Sequence, residues 1–239
     1  MREIARIHGF DHLPVMALPR THVVSQPAVN PAQLRPLQLR RALAECGLME
    51  AVTFSFLAPK EAALFGGGAA ALTLVNTISA DLSVMRPSAL PNLLQAAGRN
   101  QDRGEADCAL FEIGPVFLGD EPTEQRAACA GIRHGHTAPR EWHHERRIVD
   151  VFDAKKDTIQ TLLEAGYDRQ NLFVREKSPS YYHPGKSGSV YLDKDDIDPV
   201  AYFGEIHPNI IKKLDIKTEA LVGFEIYLEP PGVAGARRN

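Results

Sequence analysis

Apolar residues recur at helical spacing near the point where we predict that the folded core begins. Leu39, Leu43 and Cys46 lie three or four residues apart, and Gly47 follows them. A glycine just after the last apolar position is typical of a left-handed helix end, so this pattern predicts a helix that stops at Gly47. Residues 52–56 then alternate between apolar and polar side chains, which predicts a half-buried strand.

A second helix is predicted between Ser88, a favourable N-cap residue, and Gly104. Its apolar face would consist of Leu90, Leu93, Leu94 and Ala97. Burial of one leucine stabilises a fold by about 1.5–3 kcal/mol. Gly98 lies inside this helix, where a glycine costs about 1 kcal/mol. Burial of the four apolar side chains therefore stabilises the helix by more than Gly98 destabilises it.

The rest of the chain has more strand-like segments than helical ones. The pattern predicts strands over residues 72–75, 108–118, 127–134, 171–176, 187–193, 200–206 and 220–228. Helices are predicted over residues 153–165 and directly after His207, since Pro208 suits the first helical position. Because strands dominate and no regular strand–helix alternation occurs, we expect an α+β fold around a large antiparallel sheet.

Composition narrows the classes of protein. The 239 residues are 44% hydrophobic and 24% charged, as in soluble globular domains. A net charge of −3 argues against a dedicated nucleic-acid module, in which a basic field supplies most of the affinity. Cys46, Cys108 and Cys129 are too widely spaced for a disulfide framework or a thiolate zinc site, so we expect a cytoplasmic protein. No apolar run reaches the roughly 18 residues that span a bilayer, and no membrane partner is expected.

The positions of prolines and of periodic patterns predict three segments of the chain. Residues 1–33 contain four prolines, which interrupt helices and central strands, and form a predicted lead-in with an extended linker. Residues 34–229 carry the periodic patterns and form the predicted core domain. Residues 230–239 begin with Pro230 and Pro231 and are predicted to be a linker tail.

Four histidines in one short stretch are a candidate metal site. They are His134, His136, His143 and His144, and imidazole is a common transition-metal ligand. No cysteine pair or HExxH helix accompanies them, and the surrounding sequence is polar. We therefore favour a solvated loop over a bound metal.

Other chemistry-bearing patterns are incomplete. The triplet Gly185-Lys186-Ser187 lacks the glycine five positions earlier that a phosphate-binding loop needs, since Ser180 stands there. Three carboxylates lie in apolar strands: Glu112, Glu205 and Glu225. Paired acids could transfer protons, but we favour the interpretation that each faces solvent or pairs with an arginine.

Seven collinear segments carry a family resemblance. They are residues 3–14, 47–56, 76–91, 110–114, 150–155, 183–187 and 204–208. In this order the segments resemble the phenylalanyl-tRNA synthetase β chain of the bacterial type, with residues 3–14 similar to the end of its preceding small domain. The family-motif positions within them are Arg86, Glu112, Gly114, His183, Gly185, Glu205 and His207.

The resemblance implies a class II aminoacyl-tRNA synthetase-like antiparallel sheet flanked by helices. Residues 34–57 are similar to the first class II motif, which forms the contact with the catalytic α subunit, although the usual strand proline is missing. The implied interface residues are Leu39, Leu43, Gly47, Val52 and Phe54. Arginines that hold phosphates in the second and third motifs are absent from residues 109–112 and 204–208.

Without those arginines we expect no catalytic residue in this chain and no cofactor bound by it. Preorganised cations stabilise the charge that develops on phosphates during adenylate formation. The resemblance implies an α2β2 parent complex that charges tRNA(Phe) with phenylalanine, using ATP and magnesium. Glu3 falls where the family's acidic magnesium cluster would end, although Arg2 departs from the acidic pattern.

Two other functions remain open at the level of the sequence. One is a free-standing synthetase-like ligase with residual adenylating activity. The other is a histidine-based metallohydrolase, which would need zinc near residues 134–144. The non-catalytic β-chain core is the hypothesis that we favour.

Overall fold

The computed structural model describes residues 2–17, 27–138, 141–142, 146–218 and 220–228. The chain divides into two compact units, Met1–Pro31 and Ala32–Asn239. The first unit contains helix α1 (Arg2–His8) and a 3-10 turn at Phe10–His12. The predicted tail, residues 230–239, lies outside the described residues.

The second unit contains the other helices and all described strands. Its helices are α2 (Pro31–Glu45), α3 (Pro59–Leu64), α4 (Leu90–Asp102), α5 (Val151–Glu164) and α6 (Pro208–Lys213). Its strands are β1 (Met49–Glu50), β2 (Phe56–Leu57), β3 (Val84–Met85), β4 (Cys108–Phe117), β5 (Gln125–His134), β6 (Phe173–Arg175), β7 (Tyr182–Tyr191), β8 (Ala201–Ile206) and β9 (Leu221–Tyr227).

Seven strands form one sheet in the order β1-β4-β5-β9-β8-β7-β6, and β2 pairs with β3 separately. Every neighbouring pair in the large sheet is antiparallel except β1 with β4, which is parallel. The short strands β1 and β6 form its two edges. The prediction of an α+β fold around a large antiparallel sheet is confirmed.

Helices cover both faces of this sheet. Consecutive strand residues point to opposite faces, and in β9 Leu221 packs in one apolar cluster while Val222 packs in the other. Helices α2 and α5 pack on the face of Val222, where they contribute Leu39, Leu43 and Leu162 to the apolar cluster. Helix α4 belongs to the cluster of Leu221 and buries the predicted stripe of Leu90, Leu93, Leu94 and Ala97.

The end of α2 is as predicted. Gly47 has a φ of +81°, in the left-handed region that glycine adopts without steric cost. Its N–H donates to the Ala44 carbonyl, and the Leu48 N–H donates to the Leu43 carbonyl. These two bonds form a Schellman motif, which satisfies carbonyls that the helix itself leaves free.

The prediction of a strand over residues 52–56 is wrong. The Ala51 N–H donates to the Phe111 carbonyl at 2.7 Å, and the chain then leaves the sheet because Thr53 is held by a side chain of β4. The Thr53 hydroxyl donates to Oε2 of Glu112 at 2.6 Å. Pairing resumes only at Phe56, which is opposite Met85.

Other segments also differ from the predictions, and β7 begins at Tyr182, five residues before the predicted start of its strand. Residues 72–75 form no strand, because a 3-10 turn occupies Ala70–Leu72 and only Thr73 makes a bridge, to Val84. Helix α4 begins at Leu90 with Ala89 as N-cap. The hydroxyl of Ser88 still accepts from the Leu90 N–H at 3.1 Å, so Ser88 supports the helix start from one residue earlier.

Candidate functional site

A buried polar cluster on strand β4 unites three of the family-motif positions. Arg86 is 1% exposed, and its Nη1 donates to Oε1 of Glu112 at 2.8 Å. The same Nη1 donates to the Thr53 hydroxyl at 3.1 Å, and Nε donates to the Pro115 carbonyl at 2.8 Å. A Cβ added to Gly114 would lie 2.5 Å from Nη2 of Arg86, so glycine is what makes room for the guanidinium.

We call Thr53, Arg86, Glu112 and Gly114 the Arg86 cluster. Its guanidinium is enclosed and bonded to acceptors of this chain, so it is not free to hold a phosphate. The interpretation of Glu112 as an arginine-paired carboxylate is confirmed. No local signal indicated that Thr53 would join the cluster, because a threonine in an alternating segment also fits a strand.

The Arg86 cluster also anchors the segment that connects β1 to β2. The Arg86 N–H donates to the Ser55 carbonyl at 3.0 Å, and the amide of Asn92 on α4 donates to the Phe54 carbonyl at 3.1 Å. The backbone is thereby fixed while two apolar side chains project outward. Val52 is 89% exposed and Phe54 is 63% exposed.

We call Met49, Val52 and Phe54 the edge surface, since Met49 belongs to the edge strand β1 and is also exposed. Exposed apolar groups that lie together on a rigid backbone are typical of interaction sites. Two of the five predicted interface residues, Val52 and Phe54, belong to it, and Gly47 lies at the exposed turn just before β1.

The prediction that Leu39 and Leu43 are interface residues needs correction. They are 0% and 1% exposed and pack within the α2–α5 side of this chain's own core. Apolar residues at helical spacing indicate a buried face, but the spacing does not say whether the same chain or a partner covers it.

Glu225 on β9 is the second buried carboxylate on the α4 side of the sheet. It is 0% exposed, and its Oε1 accepts from the Ala89 N–H at 2.8 Å and from the Ser88 hydroxyl at 3.0 Å. Burial raises the pKa of Glu225 to about 7, against the opposing effects of these two bonds and of Arg86. The interpretation of Glu225 as solvent-facing or arginine-paired is wrong, because α4 covers it and no arginine among the described residues bonds to it.

The remaining family-motif positions meet where β7 pairs with β8. The register shifts between Tyr182 and Ser187, so residues 183–186 bulge out of the ladder. Nδ1 of His183 accepts from the Gly185 N–H, and Nδ1 of His207 accepts from the Asn209 N–H, each at 3.1 Å. The two rings lie 6.4 Å apart in a stacked arrangement.

Glu205 is the residue two positions before His207 and pairs with Lys186 of the bulge at 2.8 Å. The interpretation that Glu205 faces solvent or pairs with an arginine therefore needs correction, because its partner is a lysine and most of its side chain is covered. The seven motif positions thus form two groups. Arg86 joins Glu112 and Gly114 at β4, and the other four lie on β7 and β8 or, for His207, directly after β8. Strands β5 and β9 separate the two groups in the sheet.

Only His134 departs from the prediction of a solvated loop, since the described residues between it and Ile148 form no helix or strand apart from a bridge of His136 to Ile148. His134 is the last residue of β5 and is buried, and neither ring nitrogen has a hydrogen-bond partner among the residues that the structure describes. Burial lowers the pKa of His134. His136 pairs through Nδ1 with Asp107 at 2.9 Å, and His143 and His144 lie outside the described residues.

Within the described part of the chain, no three histidine, cysteine or acidic side chains come together in a way that could hold a metal ion. Glu3 lies in α1 with its side chain exposed. Its role as a magnesium ligand stays a prediction. None of the helices among the described residues is long and apolar enough to cross a membrane.

The fold is that of a class II aminoacyl-tRNA synthetase-like domain. A crystal structure of pyrrolysyl-tRNA synthetase from Desulfitobacterium hafniense matches 95% of this chain and 71% of its own with a TM-score of 0.61 and 18% identity. A second structure of that synthetase matches 95% of this chain and 69% of its own, with a TM-score of 0.59 and 17% identity. Identities this low establish the fold alone.

Sequence comparison places the chain within one family of that class. Residues 16–228 match the family model of the phenylalanyl tRNA synthetase beta chain CLM domain. The phenylalanine–tRNA ligase beta subunits of Paramagnetospirillum magneticum and Rhodospirillum rubrum are 48% and 44% identical to it, each over 96% of this chain. The chain belongs to the phenylalanyl-tRNA synthetase β-chain family.

The chain spans 28% of the length of these two relatives. The activity, substrates and partners of a whole β subunit therefore belong to the proposal that follows.

Proposed function

We propose that the chain is a non-catalytic core of a phenylalanyl-tRNA synthetase β subunit that assembles with the catalytic α subunit. The parent complex is then an α2β2 enzyme of the cytoplasm that charges tRNA(Phe) with phenylalanine and uses ATP and magnesium. The observation that carries the proposal is the edge surface, which is apolar, exposed and held on a fixed backbone by the Arg86 cluster.

The side chains near the sheet support a scaffold role. Strand β4 and residues 204–208 contain no arginine, and the guanidinium of Arg86, which contacts β4 at the Pro115 carbonyl, is bonded to Glu112 and Thr53. Both faces of the sheet are packed with apolar side chains. An adenylating site needs free cations aimed at the phosphates, and the Arg86 cluster uses its cation to position the edge surface.

Val52→Asp and Phe54→Asp test the assembly step directly. Each places a charge in the centre of the proposed contact, where an unpaired charge is strongly unfavourable, and we expect co-purification with a cognate α subunit to fall at least tenfold. Because both side chains are exposed in this chain, the circular dichroism spectrum and the melting temperature of the chain alone should change little.

Ile197→Asp is the matched control, because Ile197 is also exposed and apolar but lies outside the edge surface. It should leave co-purification unchanged. If Val52→Asp and Phe54→Asp bind α as the unsubstituted chain does, the proposed contact is wrong. ATP–pyrophosphate exchange by the chain alone would instead support the free-standing ligase, and we expect none.

A further inference from the structure

The histidines of the β7–β8 group are held in one tautomer each. Nδ1 of His183 and Nδ1 of His207 both accept a backbone N–H. A neutral imidazole has one acceptor nitrogen and one donor nitrogen, so in each ring Nε2 carries the hydrogen. In each ring Nε2 therefore lies away from the backbone N–H that Nδ1 accepts.

Both Nε2–H groups are available to a ligand. Among the described residues, neither Nε2 has a hydrogen-bond partner, and neither is among the buried polar atoms that lack one, so both reach solvent. A protonated Nε2 donates and cannot ligate a metal. Two stacked rings 6.4 Å apart therefore present a pair of donors to a group that has several acceptor oxygens.

The bulge that carries His183 is rigid. The Ser187 hydroxyl donates to the His183 carbonyl at 2.6 Å and contacts the Ser178 hydroxyl at 2.5 Å. A Cβ added to Gly204 would lie 2.3 Å from the Ser187 Cβ, so the bulge packs closely on β8. Donors held in place before binding lose little entropy when the ligand arrives.

Lysines lie on the elements that hold the two rings. Lys212 and Lys213 occupy the last turn of α6, whose N-cap is His207. Lys186 is in the bulge, but its charge is compensated by Glu205 at 2.8 Å, so the positive charge that remains for a ligand is that of α6. Positive charge on the same short helix as one of the donors favours phosphate, and phosphate contacts from lysines and neutral donors supply most of the affinity of RNA-binding surfaces.

We propose that His183 and His207, together with Lys212 and Lys213, form a site for a backbone phosphate of RNA. The proposal rests on the proposed function, which makes tRNA(Phe) the RNA that meets this surface. It adds a contact of the complex with RNA through the β7–β8 bulge and α6. These elements are separate from the edge surface that we propose to bind α.

The variants His183→Asn and His207→Asn separate ligand binding from folding. An asparagine side-chain oxygen can accept the N–H two residues later and is a favourable N-cap, so both backbone bonds survive while the Nε2–H donor is lost. In complexes of the chain with a cognate α subunit, we expect the Kd for a tRNA(Phe) transcript to rise about 3–10-fold per variant, with an unchanged melting temperature.

Salt dependence gives a second readout. Lys212→Gln and Lys213→Gln should each lower the slope of log affinity against log salt by about 1, whereas the two asparagine variants should leave the slope unchanged because they remove no fixed charge. His12→Asn, at an exposed histidine of the lead-in, is the control and should affect neither quantity.

The outcomes distinguish this inference from the proposed function. If α binds normally and all four substitutions leave the affinity for tRNA unchanged, the phosphate site is wrong while the assembly proposal stands. If the asparagine variants weaken binding of α and not of tRNA, the donors meet an acidic protein segment and the RNA proposal is overturned. If no complex with α forms for the unsubstituted chain, it is the proposed function that fails.

Discussion

Glu112 and Glu225 are both buried on the α4 side of the same sheet, but their surroundings are opposite. Glu112 contacts a guanidinium and a threonine, and both of its oxygens are bonded. Within the described part of the chain, Glu225 is bonded to the Ser88 hydroxyl and the Ala89 N–H alone, and its Oε2 has no partner there. The first carboxylate is part of an ion pair that fixes a surface segment, and the second is an acid that burial favours in its neutral form.

This comparison shows that a neighbouring cation determines whether a buried carboxylate is ionised and paired or retains its proton. An ion pair in a protein interior is costly to break, because removal of one partner leaves the other charge buried and alone. A buried acid without a direct cation can instead retain its proton. The two residues therefore respond differently to substitution and to pH.

Removal of the Glu112 carboxylate should give the largest effect. Glu112→Ala leaves the Arg86 guanidinium buried without its anion, and we expect the free energy of unfolding to fall by about 3–5 kcal/mol in urea titrations. Glu225→Ala leaves no cation unpaired and should cost less. Equal costs for the two substitutions would show that the ion pair does not distinguish the sites.

The double substitution Arg86→Met with Glu112→Leu is the control for this comparison. It removes both charges and fills a similar volume, and such replacements of buried ion pairs are often nearly neutral. We expect it to recover most of the stability that Glu112→Ala loses. Binding of α should not recover in parallel, because Thr53 has then lost both of its polar partners and no longer holds the edge surface.

The pH dependence of stability should come next in size. Glu225 has a pKa of about 7 in the folded protein and an ordinary value of 4.5. Between these values the unfolded chain loses this proton while the folded chain keeps it, so stability falls as pH rises from 4.5 to about 7 and then levels off. At about 1.4 kcal/mol per pKa unit, the total is about 3 kcal/mol.

Glu225→Gln isolates that contribution. Glutamine keeps an acceptor for Ser88 and Ala89 but does not titrate, so the variant should lose this part of the decline and exceed the original chain in stability at pH 8. Glu176→Gln, at an exposed position, should follow the original curve. A decline between pH 4.5 and 7 that is the same in Glu225→Gln would mean that this carboxylate does not cause it.

The contrast between these carboxylates also marks the limit of sequence-based prediction. Alternation and helical spacing predicted β4, β5, β9 and the buried stripe of α4, because each depends only on one element's own period. An acid in an alternating strand has the same pattern whether its face meets water or a helix. Only the packing of α4 over β9 places Glu225 in the interior.

The same limit explains the errors around the candidate interface. Leu39 and Leu43 have the spacing of a buried helical face, and the sequence could not tell this chain's own core from a partner's surface. Val52 and Phe54 were expected to lie in a strand, whereas contacts from Glu112, Arg86 and Asn92, far away in the chain, hold that segment off the sheet. Such long-range contacts leave no local signal.

The smallest effect is expected at Gly114, which tests whether close packing holds the Arg86 cluster in place. In Gly114→Ala the new Cβ would overlap Nη2 of Arg86 at 2.5 Å, and overpacking of this kind costs about 1–3 kcal/mol.

Gly98→Ala in α4 is the matched control, since its Cβ would lie 3.6 Å from Ile216, an ordinary contact. That variant should gain about 0.5–1 kcal/mol, because alanine favours a helix interior more than glycine does. Opposite signs for these two substitutions in thermal unfolding would support the cluster as described. A neutral Gly114→Ala would show that the guanidinium can shift away from Glu112 at little cost, and the rigid support assigned to the edge surface would then be lost.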